Sequence, residues 1–299
     1  LILTVLARDG ETIVSRGELV EIGGDFRVPD VMAGSGTRMV EVGTTNRTHL
    51  EDYQRAINPN TRLIMRVHPS NYRIVGFASS PVLSDLANLA RESGLPLYED
   101  AGSGQLSDLG RYGVVEEPIV REIVERGVDV VSFSGDKLLG SVQAGLIVGK
   151  REIVSRLRKH PLYRALRSDK IRLAALEATL VSHQKEVAEA EVPVIQMLSL
   201  TAEEVEQRAR SVIEDLDSVK FELISGESTL GGGAGPISNV PTTLIAITHD
   251  GRSAQEIEHH LRASTPPTIA RISEGKVLLD LRTVFPDQLP ALREALKTL

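Results

Sequence analysis

The chain has 299 residues, is 41% apolar and 25% charged, and holds 25 Gly and 14 Pro, which excludes a disordered tail, a collagen-like fibre and a coiled coil. It contains no cysteine, so a disulfide scaffold, a zinc–thiolate site, an iron–sulfur cluster and a cysteine nucleophile are all excluded. A net charge of −7 and an aromatic content of 3% argue against uniform nucleic-acid binding and against base-stacking platforms.

Residues 1–8 have no basic leader and no small-residue cleavage site, so they do not read as a signal peptide. No apolar run reaches the roughly 18–20 residues of a membrane helix, and a soluble cytoplasmic protein is expected. The opening LILTVLARDGETIVSRG reads as a helix end running into a strand, which suggests that a further N-terminal piece precedes Leu1. β-Branched runs at 12–15, 38–42, 62–67, 96–99, 128–132 and 145–148 predict strands. Helical patterns at 49–57, 82–93, 118–126 and 150–158 lie between and after them. This alternation predicts an α/β unit with a mostly parallel sheet, and such sheets bind ligands beyond the carboxyl ends of their strands. A long helix is expected over 168–190, ending before Pro193. Thr201 and Glu204 then form a capping box for a helix reaching residue 216. Strands at 220–224, 242–248, 268–272 and 276–280 and helices at 253–262 and 286–296 predict a smaller α+β unit. The expected division is a large domain over 1–195 and a small one over 196–299. The glycine-rich stretch 226–236 lacks the ending of a P-loop and reads as a flexible loop.

Charge is uneven. Residues 150–172 carry nine Lys and Arg against Glu152 and Asp169, so that strip is +7 and the remainder −14. It reads either as a solvated helix face or as the seat of an anionic ligand.

Three segments follow predicted strands and carry chemistry. In SFSGDKLLG (132–140), Lys137 stands among small residues just past a strand end, well placed to form a Schiff base with pyridoxal phosphate. Ser134 and nearby N–H groups could hold a phosphate. The alternative is an ordinary surface turn. In YEDAGSG (98–104), Asp100 could pair with a pyridinium nitrogen, which makes the ring an electron sink. A helix cap or a metal carboxylate is the alternative, and no cluster at metal-ligand spacing accompanies Asp100. Gly102-Ser103-Gly104 lacks the spacing of a hydrolase nucleophile elbow. In RVHPSNY (66–72), His68 could stack on a planar ring and Asn71 could bond a phenolic oxygen, although a strand-end histidine is often structural. One cofactor lying across successive strand ends accounts for Asn71, Asp100 and Lys137 together.

The chain resembles the bacterial selenocysteine synthases, the L-seryl-tRNA(Sec) selenium transferases. The likeness is densest in SRGELVEIGGDFRVPDVM (15–32), EVGTTNRTHLEDY (41–53), RVHPSNYRIVGF (66–77), YEDAGSG, SFSGDKLLG, QAGLIVGK (143–150) and RALRSDK (164–170). The resemblance implies a fold-type-I, aminotransferase-like large domain that binds pyridoxal 5'-phosphate. It implies that Lys137 is the Schiff-base lysine and Asp100 the pyridinium partner, with Asp136 and Ser134 beside the cofactor. Arg164 and Arg167 match the pair that holds selenophosphate, a small oxyanion that guanidinium forks can clamp. Thr44, Thr45 and Tyr72 match positions of contact between dimers in a ring-shaped homo-oligomer, a decamer by resemblance. The implied reaction converts seryl-tRNA(Sec) to selenocysteinyl-tRNA(Sec) through an aminoacrylyl intermediate. The family's usual Gly-Pro pair is replaced by Ser141-Val142, and the family's N-terminal tRNA-binding domain and early phosphate loop are not within these residues. Two other readings stay open. One is a related pyridoxal-phosphate lyase or transferase acting on a small free amino acid, which would need a carboxylate clamp such as Arg271 or Arg282. The other is a non-catalytic assembly or tRNA-binding paralogue.

Overall fold

The apolar, β-branched run Glu11–Ser15 forms strand β1, which is buried at every position, as a central strand covered on both faces must be. This is a computed structural model, and it describes residues 1–217, 219–231, 234–235 and 238–299. A short hairpin follows, of β2 (Glu21–Gly23) and β3 (Phe26–Arg27). Strands β4 (Arg38–Val42), β5 (Thr61–Val67), β6 (Leu97–Gly102), β7 (Val130–Ser134) and β8 (Gly145–Gly149) then complete a six-stranded sheet with β1. Its order is β4-β1-β5-β6-β7-β8, parallel except for β8, which runs antiparallel to β7.

Strand periodicity divides the core into two layers. Ile13, Ile64, Leu97, Val131 and Phe133 face the helices Leu50–Ala56, Leu83–Glu92 and Val120–Glu125. Val14, Met65, Val67, Tyr98 and Val130 face the other way, against Ile2, Leu3, Met32, Ile153 and Leu157. The chain places β4 on one side of β1 and β5 on the other, the reversal at which open α/β sheets leave a crevice beyond their carboxyl ends.

A second unit has its own antiparallel sheet. Strands β9 (Lys220–Ser228), β10 (Val240–Thr248), β11 (Arg271–Ser273) and β12 (Lys276–Asp280) are ordered β11-β12-β10-β9. Helices Ala202–Ile213, Ala254–Arg262 and Leu289–Lys297 cover one face, packing on Ile245, Ile247, Val277 and Leu279. The first compact unit comprises residues 1–109, 115–192 and 230–237, and the second the residues 110–114, 193–229 and 238–299.

Some elements depart from the expected pattern. The helix expected over 168–190 is two, Lys170–Gln184 and Ala188–Glu191, broken where Glu186 takes a φ of 59°. The strand expected over 268–272 starts only at Arg271, after Pro266 and Pro267. The expected loop over 226–236 is shorter at its start, because β9 continues to Ser228. Gly232, Gly233 and Pro236 of that loop lie outside the described residues.

Arg282 locks the second unit. It is 4% exposed and donates to the carbonyls of Met197, Leu200 and Pro241 and to Ser228 Oγ. Replacing it leaves these partly buried acceptors without the donor they share. Arg282→Met is expected to cost about 3 kcal/mol or more in denaturant unfolding. A change within about 0.5 kcal/mol would contradict the role.

Candidate active site

Three adjacent parallel strands end side by side. The register sets Val67 of β5 opposite Asp100 of β6, and Asp100 opposite Ser132 of β7. The His68 N–H continues the ladder to the Asp100 carbonyl at 2.9 Å, and Leu138 N–H reaches the Ser103 carbonyl at 3.0 Å. The loops after β6 and β7 therefore lie against each other. That approach requires glycine at 104, where φ is +75° and a Cβ would stand 2.4 Å from the Ser134 carbonyl oxygen.

The turn carrying Lys137 is closed by its own backbone. Gly135 N–H donates to Ala144 O, Ser141 N–H to Gly135 O, and Gly140 N–H to Lys137 O. Ser141 also accepts from the Thr179 hydroxyl at 3.0 Å, so the Ser141-Val142 pair is built into the turn. Lys137 is half-buried there, with Ser134 half-buried at the end of β7 and Asp136 exposed.

The charge of Lys137 acts on the Asp100 carboxyl. Burial raises the Asp100 carboxyl above its ordinary value, against the opposing pull of the Ser132 hydroxyl, Lys137, the Gly102 N–H and His68. Ser132 Oγ donates to Asp100 Oδ1 at 3.0 Å. His68 Nε2 is buried without a hydrogen bond, 3.5 Å from Glu117 Oε2. Burial pushes Glu117 up, but His68, the Ser103 hydroxyl and the Gly235 N–H outweigh it and leave the carboxyl below its usual range. The Gly235 N–H donates to Glu117 at 2.6 Å. The structure thus brings His68, Asp100 and the Lys137 turn to adjacent strand ends, with Asp136 on that turn and Ser134 closing β7. Asn71 is exposed, and its amide donates to the Glu21 carbonyl at 2.8 Å. A desolvated carboxylate, a lysine amine within its field and a histidine with a free ring nitrogen suit pyridoxal phosphate, whose ring nitrogen is cationic and whose aldehyde condenses with an amine.

The remaining candidates lie elsewhere on the first unit. Thr45 and Tyr72 line a cavity of about 290 Å³ together with Glu18, Arg66 and Arg73. Tyr72 donates to the Gly17 carbonyl. Thr44 is exposed and donates to the Arg47 carbonyl at 3.0 Å. In the cationic strip, Lys150 pairs with Asp129 and Arg172 with Asp169. Arg164, on the helix Pro161–Leu166, and Arg167, which ends it, are exposed and carry no ion pair among the described residues.

Glu18, Glu117, Tyr98 and Ser132 also belong to this region without standing out as site residues in the sequence. The alternation of β6 could have found Tyr98, since residues 98 and 100 must share a face. Glu117 sits in a loop and carries no local signal. Glu18 is fully buried, pairs with Arg66 at 3.1 Å and accepts from the Val67 N–H at 3.0 Å. Burial raises it to about 7, although Arg66 and that N–H pull the other way.

The architecture is the aminotransferase-like, fold-type-I arrangement. A solved structure titled "Structure of D-Glucosaminate-6-phosphate Ammonia-lyase" superimposes with a TM-score of 0.65 at 21% identity, covering 97% of this chain and 70% of that one, a likeness of fold alone. A family model described as "SelA: L-seryl-tRNA selenium transferase" matches residues 1–285. The L-seryl-tRNA(Sec) selenium transferase of Geobacter sulfurreducens is 51% identical over 100% of this chain and 66% of its own length. That of Clostridium perfringens is 47% identical over 99% of this chain and 65% of its own length. The chain belongs to the L-seryl-tRNA selenium transferase family, and it spans just under two thirds of the length of these relatives.

The Glu18 shift has a consequence for folding. The unfolded chain releases this proton near 4.5, whereas the folded protein holds it to about 7. The folded state binds more protons in between, so the Glu18 contribution to stability falls as pH rises from 4.5 through 7. Glu18→Gln is expected to flatten the dependence of the denaturation midpoint on pH over that window. An unchanged slope would contradict the assignment.

Proposed function

We propose that the protein is a pyridoxal-phosphate enzyme that converts seryl-tRNA(Sec) to selenocysteinyl-tRNA(Sec) with selenophosphate as donor. One observation carries the reading: Asp100 on β6 and Lys137 in the turn after the neighbouring β7 stand side by side in sheet order, in a chain that belongs to this family. When bound, the cofactor supplies an electron sink for the Cα carbanion of the seryl group.

The residues divide the work. The Lys137 amine holds the cofactor covalently, takes the proton from the seryl Cα and returns it at the end. Asp100 keeps the proton on the ring nitrogen. With the cofactor bound, His68 would stack on its ring, and Ser134 with neighbouring N–H groups would hold its phosphate beside Asp136. Asn71 serves the phenolic oxygen once its amide turns from the Glu21 carbonyl. Arg164 and Arg167 bind selenophosphate, and their lack of ion-pair partners among the described residues leaves both guanidinium groups free for an oxyanion. Thr44, Thr45 and Tyr72 contact another dimer in a ring-shaped homo-oligomer, a decamer.

The seryl group arrives as a tRNA ester and has no free carboxylate to clamp. Arg282 has no capacity for one, since its guanidinium is spent on Ser228 and three carbonyls. This removes Arg282 as the clamp a free amino acid would need, while Arg271, the other candidate, is exposed on β11. Among the described residues no helix is long and apolar enough to cross a membrane, and a tRNA substrate places the activity in the cytoplasm.

Borohydride reduction of the cofactor-loaded protein followed by peptide mapping is expected to label one peptide, that containing Lys137. A label on another lysine, or none, would overturn the reading. Arg164→Ala or Arg167→Ala is expected to raise the selenophosphate concentration for half-maximal turnover by roughly tenfold or more, with cofactor absorbance unchanged. Unaltered donor saturation would rule out the clamp.

A further inference from the structure

Behind Asp100 stand two hydroxyls for which the reaction has no use. Tyr98 and Asp100 share a face of β6, and Ser132 is the direct partner of Asp100 on β7. Ser132 Oγ is 3.0 Å from Asp100 Oδ1 and 2.8 Å from Tyr98 Oη. A serine has one proton to give. The ionised carboxylate is an acceptor only, so that proton goes to Asp100, and the serine oxygen must then accept from the tyrosine. The chain runs one way, Tyr98 O–H to Ser132 O–H to Asp100. Tyr98 is buried, and burial followed by the Asp100 charge holds its phenol well above its ordinary range, so it remains a donor at every working pH. Tyr98 and Ser132 border a cavity of about 500 Å³ whose walls include Ile2, Phe26, Leu146 and Leu166. In apolar surroundings a hydrogen bond to a charge is worth more than in water.

We propose that Tyr98 and Ser132 form a hydroxyl relay that keeps Asp100 ionised and fixes one of its oxygens, and so sets how firmly the cofactor's ring nitrogen holds its proton. The relay rests on the reading of Asp100 as the partner of that nitrogen. Both hydroxyls are positioning residues, acting on the cofactor only through the carboxylate. The other groups acting on this carboxylate are Lys137, the Gly102 N–H and His68, and none of them bonds to Ser132 or Tyr98. The contributions therefore separate by mutation. Losing Ser132 removes a hydrogen bond to a charge. Losing the Tyr98 hydroxyl leaves that bond in place but no longer polarised, so its effect is smaller.

The test uses holoenzyme loaded with pyridoxal phosphate labelled with ¹⁵N in the ring. Two quantities are read: the dissociation constant of the cofactor, and the pH at which the ring nitrogen loses its proton. Ser132→Ala is expected to weaken cofactor binding roughly tenfold and to lower that pH by about one unit. Tyr98→Phe should shift both the same way by roughly a third as much on the logarithmic scale, and nothing further in the Ser132→Ala background. Ser132→Thr, which keeps the hydroxyl, should restore wild-type values. Wild-type values in Ser132→Ala, or full additivity of the two variants, would overturn the relay. A loss of melting temperature with an unmoved nitrogen titration would reduce the pair to packing and overturn it equally. Asp100→Asn separates the underlying reading: if it leaves the nitrogen titration unchanged, Asp100 is not the partner. If it moves that titration while Ser132→Ala does not, the relay alone fails.

Discussion

The backbone of Asp100 is hydrogen-bonded into two parallel ladders at once, beside Val67 on one side and Ser132 on the other. Parallel pairing brings the carboxyl ends of β5, β6 and β7 level, so whatever side chains follow those strands become neighbours. His68, Asp100 and the Lys137 turn are far apart in sequence and meet only because of this register. A one-residue slip of β6 would turn Asp100 to the opposite face, where Leu97 and Ala101 now pack with Val131. The two apolar layers forbid that slip, since Tyr98 would leave its own cluster as well. The hydrophobic pattern of the strands therefore fixes the chemistry at their ends.

Burial then sets the electrostatics. Desolvation raises Glu18, Glu99 and Asp100 at these strand ends, with Arg66, His68 and Lys137 only partly offsetting it. A cationic heterocycle laid against Asp100 would favour its ionised form, and binding and ionisation would reinforce each other. Glu117 behaves differently because the Gly235 N–H donates to it and His68 and Ser103 lie near enough to lower it against its burial.

Strand placement was legible in the sequence where β-branched runs were bounded by turn residues. The run 38–42 is β4 to the residue, and 62–67 differs from β5 by one. The β2–β3 hairpin was not legible, being too short and too exposed to show a period. The long C-terminal helix of the first unit was overextended because no Gly or Pro marks its break, which a glutamate at positive φ supplies instead. Lys137 and Asp100 stood out because small residues surround them at strand ends. Ser132 and Glu117 did not, since their significance is a contact across strands or through a loop. Asn71 illustrates the same limit: its position after β5 was readable, its bond to the Glu21 carbonyl was not.

The chemistry of this site depends on one aromatic heterocycle lying between Asp100 and Lys137. An experimental structure of the assembled, cofactor-loaded protein tests it most directly. The expected result is a covalent link from Lys137 Nζ to the cofactor and an Asp100 carboxylate oxygen within hydrogen-bond reach of the ring nitrogen. A free Lys137, or a ring nitrogen directed at some other group, would contradict it.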